Sequence, residues 1–452
     1  MELPVEFIEE MRHILPDAEA DRLMEAISSQ PSVSVRVNGS KLTDAASCGL
    51  LTDGAVPWCG SGYYLEGRPS FTMNPLLHCG AFYVQEASSM FVEQAVRKCV
   101  DGPVKALDLC AAPGGKSTHL CSLLPEGSVL VANEINRGRA NILAENLTKW
   151  GNPNVVVTND TPERIGASSL LFDLILVDAP CSGEGMFRKD ETAITEWSAA
   201  NVRMCAQRQR EILRAVWPAL RPGGSIIYST CTYNSLEDEE NVSWMIEELG
   251  AESVPVDVPE EWGVTGDLTC KGLAVYHFLP HKTRGEGFFL ALLRKPGVYV
   301  PMPVRKASKP QKSADGPFRD WLCGADDFFF IERNGSIMAM PSGLSDFMTQ
   351  ASSELHTLSC GVEISVMRGR DWTPAHPLAL CTCMSKSAFP SAEVSLQQAL
   401  AYLHSEAVSI PDAPKGFVLL TYSGVPIGFV KNIGNRANNL YPQQWRIRKD
   451  VC

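Results

Sequence analysis

Between residues 96 and 296 the chain alternates short apolar, strand-like runs with amphipathic stretches of helical period. Strands are expected near 104–109, 128–133, 154–158, 173–178, 224–229, 274–279 and 287–293, and helices near 116–124, 136–149, 199–219 and 235–249. That alternation restricts the segment to an α/β fold, a mostly parallel, doubly wound sheet with helices on its faces. Local chemistry fixes several helix starts. Thr161 is placed to cap a helix whose first position is Pro162. Ser235 and Asp238 fit a capping box in which Asp stands in for the usual Glu.

At 452 residues the chain has room for further domains on either side. Residues 1–95 read as an α+β extension. Phe7, Met11, Ile14 and Leu15 recur at helical spacing, Pro16-Asp17 breaks the pattern and starts a second helix, and Ser32 to Asn38 alternates as a strand. Asp44 to Asn74, rich in Gly, Pro and aromatics, reads as irregular. Residues 297–380 read as a linker, centred on Pro301 to Pro317, followed by a small intermediate domain. Residues 381–452 form a last domain with a helix near 394–405 and strands at Phe417 to Thr421 and Ile427 to Val430.

The 15 cysteines are scattered and build no disulfide framework, which fits a reducing cytoplasm. Cys381-Thr382-Cys383 is too tight for the usual zinc spacing, and no metal site is expected. The chain has no apolar run long enough to span a membrane and no signal-like start, so neither a membrane nor export is expected. A net charge of −12 disfavours indiscriminate nucleic-acid binding, yet Lys431, Arg436, Arg446, Arg448 and Lys449 make the C-terminal end locally basic.

The first strand of the alternating region ends in Asp108-Leu109 and turns through Cys110-Ala111-Ala112-Pro113-Gly114-Gly115-Lys116. Glycines there allow a sharp turn into a helix and close approach of backbone to a ligand, as a nucleoside cofactor requires. Lys116-Ser117 resembles the end of a phosphate-binding loop, but the first glycine is missing, which argues against ATP. Glu134 follows the second strand at the distance where an acid meets ribose hydroxyls, Asp160 ends the third, and Asp178 the fourth. One acid per successive strand end, beside a glycine turn, describes a pocket for S-adenosylmethionine.

Two cysteines follow strand-like runs of the same region, Cys181 in Asp178-Ala179-Pro180-Cys181-Ser182-Gly183 and Cys231 in Ser229-Thr230-Cys231-Thr232. A thiolate near a methyl sulfonium suits methylation of a pyrimidine carbon. Carbon 5 of cytosine is a poor nucleophile until a thiolate adds at carbon 6 and converts the ring to an enamine. Either cysteine satisfies this chemistry. Asp178 is placed to act as general acid at the ring nitrogen. The helix expected from Ser235 suggests a helix N-terminus lowering the pKa of Cys231.

These segments resemble the Nol/Nop/Sun RNA 5-methylcytosine methyltransferases, and within them the bacterial 16S rRNA members of the RsmB/RsmF type. The resemblance rests on Asp108 to Lys116, Glu134, Asp160, Asp178 to Gly185 and Tyr228 to Thr232, with further likeness at Phe82 to Met90 and Gly285 to Ala291. It implies a Rossmann-like class I methyltransferase fold, with Cys231 as nucleophile and Cys181 assisting product release. It also implies that residues 110–116, Glu134, Asp160 and Asp178 bind S-adenosylmethionine. The N-terminal extension, including Arg36 and Asn38, looks like the family's RNA-facing domain. Gly434 to Pro442 is similar to the end of RsmF-type members, which implies a C-terminal PUA-like RNA-binding domain. The expected partner is RNA, 16S rRNA foremost, rather than DNA, bound by a monomer. A tRNA substrate, or a non-catalytic assembly factor on the same scaffold, would be the alternatives; the second predicts lesions in the cofactor loop or the cysteines, and none is present.

Overall fold

The computed structural model describes residues 3–300, 313–369 and 371–448. Most of the linker expected at Pro301 to Pro317, and Lys449 of the basic C-terminal end, lie outside the described residues.

Two helices, Val5–Ile14 and Asp17–Ile27, open the chain and meet at Pro16, as the sequence pattern predicts. The strands β1 (Ser34–Val37), β2 (Thr52–Ala55), β3 (Gly62–Leu65) and β4 (Phe82–Val84) form a small sheet in the order β2-β3-β1-β4. The stretch expected to be irregular therefore contains two strands. They are short, and β2 is wholly exposed, so neither shows a clear alternation of apolar and polar residues.

The central sheet is built from β5 (Lys105–Asp108), β6 (Val129–Asn133), β7 (Val155–Thr158), β8 (Phe172–Asp178) and β9 (Leu220–Thr230), parallel to one another. At one edge β10 (Glu252–Ser253), β11 (Val275–Phe278) and β12 (Phe288–Arg294) add antiparallel pairs. Alternate residues of β5 and β8 feed two separate cores. Leu107, Ile175 and Val177 pack on one face, and Ala106, Leu174 and Leu176 on the other. Strands covered on both faces read as continuous apolar runs, which is why the sequence locates them well.

A second sheet holds β13 (Phe328–Arg333), β14 (Ser336–Pro341), β16 (Val362–Arg368) and β17 (Asp371–Pro374). Between its members the chain sends β15 (Thr357–Cys360) to the free edge of the central sheet, antiparallel to β7. The central order is β10-β12-β9-β8-β5-β6-β7-β15, with β11 paired to β12 off this path. The region read as a separate intermediate domain thus supplies a strand to the catalytic sheet. The last sheet joins β18 (Ser391–Glu393), β19 (Gly416–Tyr422), β20 (Val425–Asn432) and β21 (Ala437–Asn439). Among the described residues no helix is long and apolar enough to cross a membrane.

Arg36 and Asn38 are fully buried and do not face RNA. Arg36 donates to Gln85 Oε1 at 2.8 Å and to Thr118 Oγ1 at 2.6 Å, and its guanidinium stacks over Trp150 with Cζ 4.5 Å from the ring centroid. Asn38 Nδ2 donates to the carbonyls of Gly80 and Trp150, both at 3.0 Å. These side chains fasten the N-terminal sheet to the helices Gly115–Leu123 and Arg137–Trp150. Replacing Arg36 by Ala strands buried acceptors, and an unsatisfied buried acceptor costs about 1–3 kcal/mol. Arg36→Ala is therefore expected to lower the unfolding free energy by roughly 2–4 kcal/mol in urea titration. A loss below about 0.5 kcal/mol, the range of an ordinary surface substitution, contradicts this role.

Candidate active site

Strand order reverses beside β5. The chain runs outward through β6 and β7, then returns to pair β8 with the other side of β5. Ligands of doubly wound sheets bind at the carboxyl ends of the strands at such a switch point. Asp108 and Asp178, the last residues of β5 and β8, flank it.

After Asp108 the loop 110–116 turns into the helix Gly115–Leu123. Gly114, at φ 113°, takes a left-handed conformation that a side chain would strain. Asp108 is fully buried, and Ser117 donates to its Oδ2 at 2.6 Å while Oδ1 has no partner. Burial, and then the nearby charge of Asp178, push its pKa up to about 7. Lys116 pairs with Asp178 Oδ2 at 2.8 Å, and Ser229 Oγ donates to Asp178 Oδ1 at 2.8 Å. Burial works against the Lys116 charge, but Asp178 and Asp108 outweigh it and the pKa is raised.

Glu134 is 3 % exposed; its Oε1 accepts the Asn136 amide, and Arg139 lies 3.6 Å from Oε2. Arg139 also donates to the Ala112 carbonyl at 2.7 Å, which ties the cofactor loop to the helix beyond β6. Asp160 stands two residues past β7, but it is heavily engaged. His356 binds it through the amide at 2.7 Å and through Nδ1 at 2.7 Å, and Arg164 lies 3.1 Å away. Residue by residue reading missed His356, because it lies almost 200 positions from Asp160 and arrives on the lead-in to β15. No local signal marks it.

Cys181 and Cys231 sit just beyond the ends of the neighbouring strands β8 and β9, with their sulfurs 3.0 Å apart, and both are free thiols. The Cys231 amide points at Cys181 Sγ, 3.4 Å away. The hydrogen bond with Cys231, and then burial, drive the Cys181 pKa well up, so Cys181 holds its proton. The helix after Cys231 begins at Glu239, not Ser235, and Asp238 makes no capping bond. Its carboxylate instead accepts from Thr230 Oγ1 at 2.6 Å and Thr232 Oγ1 at 3.2 Å, the two hydroxyls that bracket Cys231. This displaces the expected helix N-terminus from Cys231.

Two more buried carboxylates brace the loops. Glu237 accepts from the Ser182 amide at 3.0 Å and from Gln209 at 2.6 Å, and Glu184 accepts from the Tyr233 amide at 2.8 Å and from Trp197 at 2.9 Å. Asn234 Nδ2 donates to both, at 2.9 Å each. Gly185 donates to the Cys231 carbonyl at 2.8 Å, and a Cβ there would collide with the Gly287 carbonyl. Lys189, eight residues past Cys181, is paired with Glu286 at 3.2 Å.

The glycine turn, the half-satisfied Asp108 and the acids at successive strand ends fit a nucleoside carrying a sulfonium. Fold and pocket together define a class I S-adenosylmethionine-dependent methyltransferase. The family described as 16S rRNA methyltransferase RsmB/F matches residues 100–294, the N-terminal domain of 16S rRNA methyltransferase RsmF matches 3–87, and the methyltransferase RsmF PUA domain matches 389–447. Ribosomal RNA small subunit methyltransferase F of Shigella sonnei is 30% identical over 475 residues, spanning 98% of this chain and 96% of its own. That of Erwinia tasmaniensis is 28% identical with the same coverage. Among solved structures, a methyltransferase homolog from Pyrococcus horikoshii is 26% identical with a TM-score of 0.54, covering 65% of this chain and all of its own. NSun6 of that organism, solved with SFG, shares the fold at 21% identity and a TM-score of 0.56, over 65% of this chain and 99% of its own. The chain belongs to the RsmF-type 16S rRNA methyltransferase family.

Burial, and then repulsion from Glu237, raise the Glu184 pKa from 4.5 to about 7. A carboxyl that ionises less readily in the fold than in the open chain contributes stability below its unfolded pKa and loses it as pH rises through the folded one. Between pH 4.5 and about 7 part of the fall in stability should therefore come from Glu184. In Glu184→Gln that part of the slope is expected to vanish, as read by urea titrations across the interval. An unchanged slope contradicts the assignment.

Proposed function

We propose that this protein methylates carbon 5 of a cytosine in RNA, 16S rRNA being the substrate, through a covalent adduct between Cys231 and carbon 6. The observation that carries the reading is the pair of free thiols 3.0 Å apart at the ends of neighbouring strands, beside the cofactor crevice. The names of the relatives support rRNA, and the PUA match over 389–447 supports RNA as the partner. Scattered free cysteines fit a cytoplasmic enzyme.

Residues 110–116, Glu134, Asp160 and Asp178 would hold S-adenosylmethionine, which supplies the electrophilic methyl group. The thiolate of Cys231 adds to carbon 6. Asp178, held by Lys116 and Ser229, is assigned the general-acid role at the ring nitrogen, where charge develops as the thiolate adds. Carbon 5, now enamine-like, takes the methyl group. A base then removes the carbon 5 proton and the bond from sulfur to carbon 6 breaks. Cys181, which keeps its proton, donates to the departing Cys231 sulfur and so assists release.

The two cysteines should fail differently. Cys231→Ala is expected to abolish transfer of labelled methyl groups to bacterial 16S rRNA. Cys181→Ala is expected to accumulate a protein–RNA adduct that survives denaturing electrophoresis. Activity retained without Cys231, or normal turnover without Cys181, overturns the corresponding role.

A further inference from the structure

Two thiols as close as Cys181 and Cys231 can bond to each other as well as to a substrate. Their sulfurs lie 3.0 Å apart. Sulfurs in a disulfide lie about 2.0 Å apart, so closing the pair takes a movement of about 1 Å. The backbone suits that closure. β8 and β9 are paired at Asp178 and Ser229, just before the two loops. Neighbouring strands are about 4.8 Å apart, inside the span of about 4.4–6.8 Å between Cα atoms that a disulfide bridges. Beyond the strand ends the loops stay side by side: the Ala179 amide donates to the Ser229 carbonyl at 2.9 Å, and the Gly185 amide to the Cys231 carbonyl at 2.8 Å.

The surroundings favour the same outcome. Both cysteines are partly exposed, so a small oxidant reaches them. Cys181 holds its proton, chiefly through the hydrogen bond with Cys231 and through burial, so the first attack on an oxidant falls to Cys231. The charge of Glu237 also opposes a thiolate at Cys181, whereas a disulfide is neutral.

We infer that Cys181 and Cys231 close to a reversible disulfide in the presence of a peroxide, which switches methyl transfer off and keeps Cys231 from irreversible oxidation. The inference rests on Cys231 being the nucleophile, as proposed above. The Cys231 thiolate attacks one peroxide oxygen. The bond between the oxygens breaks, leaving a sulfenic acid on Cys231 and a hydroxide that takes up the proton Cys231 had lost. Cys181 Sγ then attacks the Cys231 sulfur. The bond between the sulfurs forms, the one from sulfur to oxygen breaks, and the hydroxyl leaves as water with the Cys181 proton. Two thiols are oxidised and one peroxide is reduced to two waters. A dithiol reverses the closure by exchange. Without a second thiol at hand, a sulfenic acid goes on to the sulfinic acid, which thiols do not reduce.

The test uses the full chain without RNA, treated with hydrogen peroxide, alkylated with N-ethylmaleimide and digested without reductant. The wild type should yield a peptide in which Cys181 is joined to Cys231. Its methyl transfer to 16S rRNA should fall about tenfold or more and return to within about twofold of the untreated rate on addition of dithiothreitol. In Cys181→Ser the same treatment should leave Cys231 as a sulfinic acid that dithiothreitol does not restore. Cys270 and Cys323, both exposed, give the extent of oxidation at ordinary surface thiols. If Cys181→Ser does not fold, the wild-type peptide map decides. Cys231 oxidised in the wild type with no joined peptide, or restored as readily in Cys181→Ser as in the wild type, overturns the inference. A disulfide with methyl transfer undiminished overturns the switch together with the nucleophile role of Cys231, whereas absence of the disulfide leaves that role untouched.

Discussion

Two cysteine sulfurs 3.0 Å apart sit on loops that buried carboxylates hold. Asp238 grips the hydroxyls on either side of Cys231, Glu237 takes the amide next to Cys181, and Glu184 takes the Tyr233 amide two residues past Cys231. Asn234 ties the last two acids together. Burying acids is unfavourable unless each finds donors, and here the donors are the backbone and side chains of the reactive loops. The arrangement spends fold stability on geometry, as active sites commonly do. It also explains the local sequence. A hydroxyl on each side of Cys231 is what one carboxylate needs to fix the strand end.

The cofactor crevice depends in turn on residues outside the central alternation. Arg36 braces the helix that follows the glycine turn, and His356 closes over Asp160 from the lead-in to β15. The catalytic sheet is thereby extended at its free edge by a strand from the segment after the linker. The flanking segments thus share hydrogen bonds with the strand ends and with the helix after the glycine turn.

The central sheet was legible because its parallel strands are buried on both faces and appear as apolar runs such as Leu174 to Val177. The Thr161–Pro162 start was legible because a cap is a local event, and Thr161 does accept from Arg164. Reading failed where a distant partner decides. Ser235 and Asp238 have the pattern of a cap, yet Thr230 and Thr232 compete for the carboxylate and win, and the helix starts later. Arg36 lies in the extension that the resemblance makes RNA-facing, but Gln85, Thr118 and Trp150 enclose it. The loop acids Glu134 and Asp178 stand at the strand ends where the sequence puts them. The engagement of Asp160 by His356 could not be read, because nothing near either residue announces the other.

The central claim is that Cys231, braced by Asp238, forms the bond to the substrate base while Cys181 keeps its proton. The most direct measurement uses 16S rRNA carrying 5-fluorocytidine, in which carbon 5 has no proton to lose and the adduct cannot resolve. After incubation with S-adenosylmethionine, nuclease digestion and peptide mass spectrometry, the account predicts a nucleotide adduct on Cys231. An adduct on Cys181, or none on either cysteine from protein that methylates unsubstituted rRNA, would contradict it.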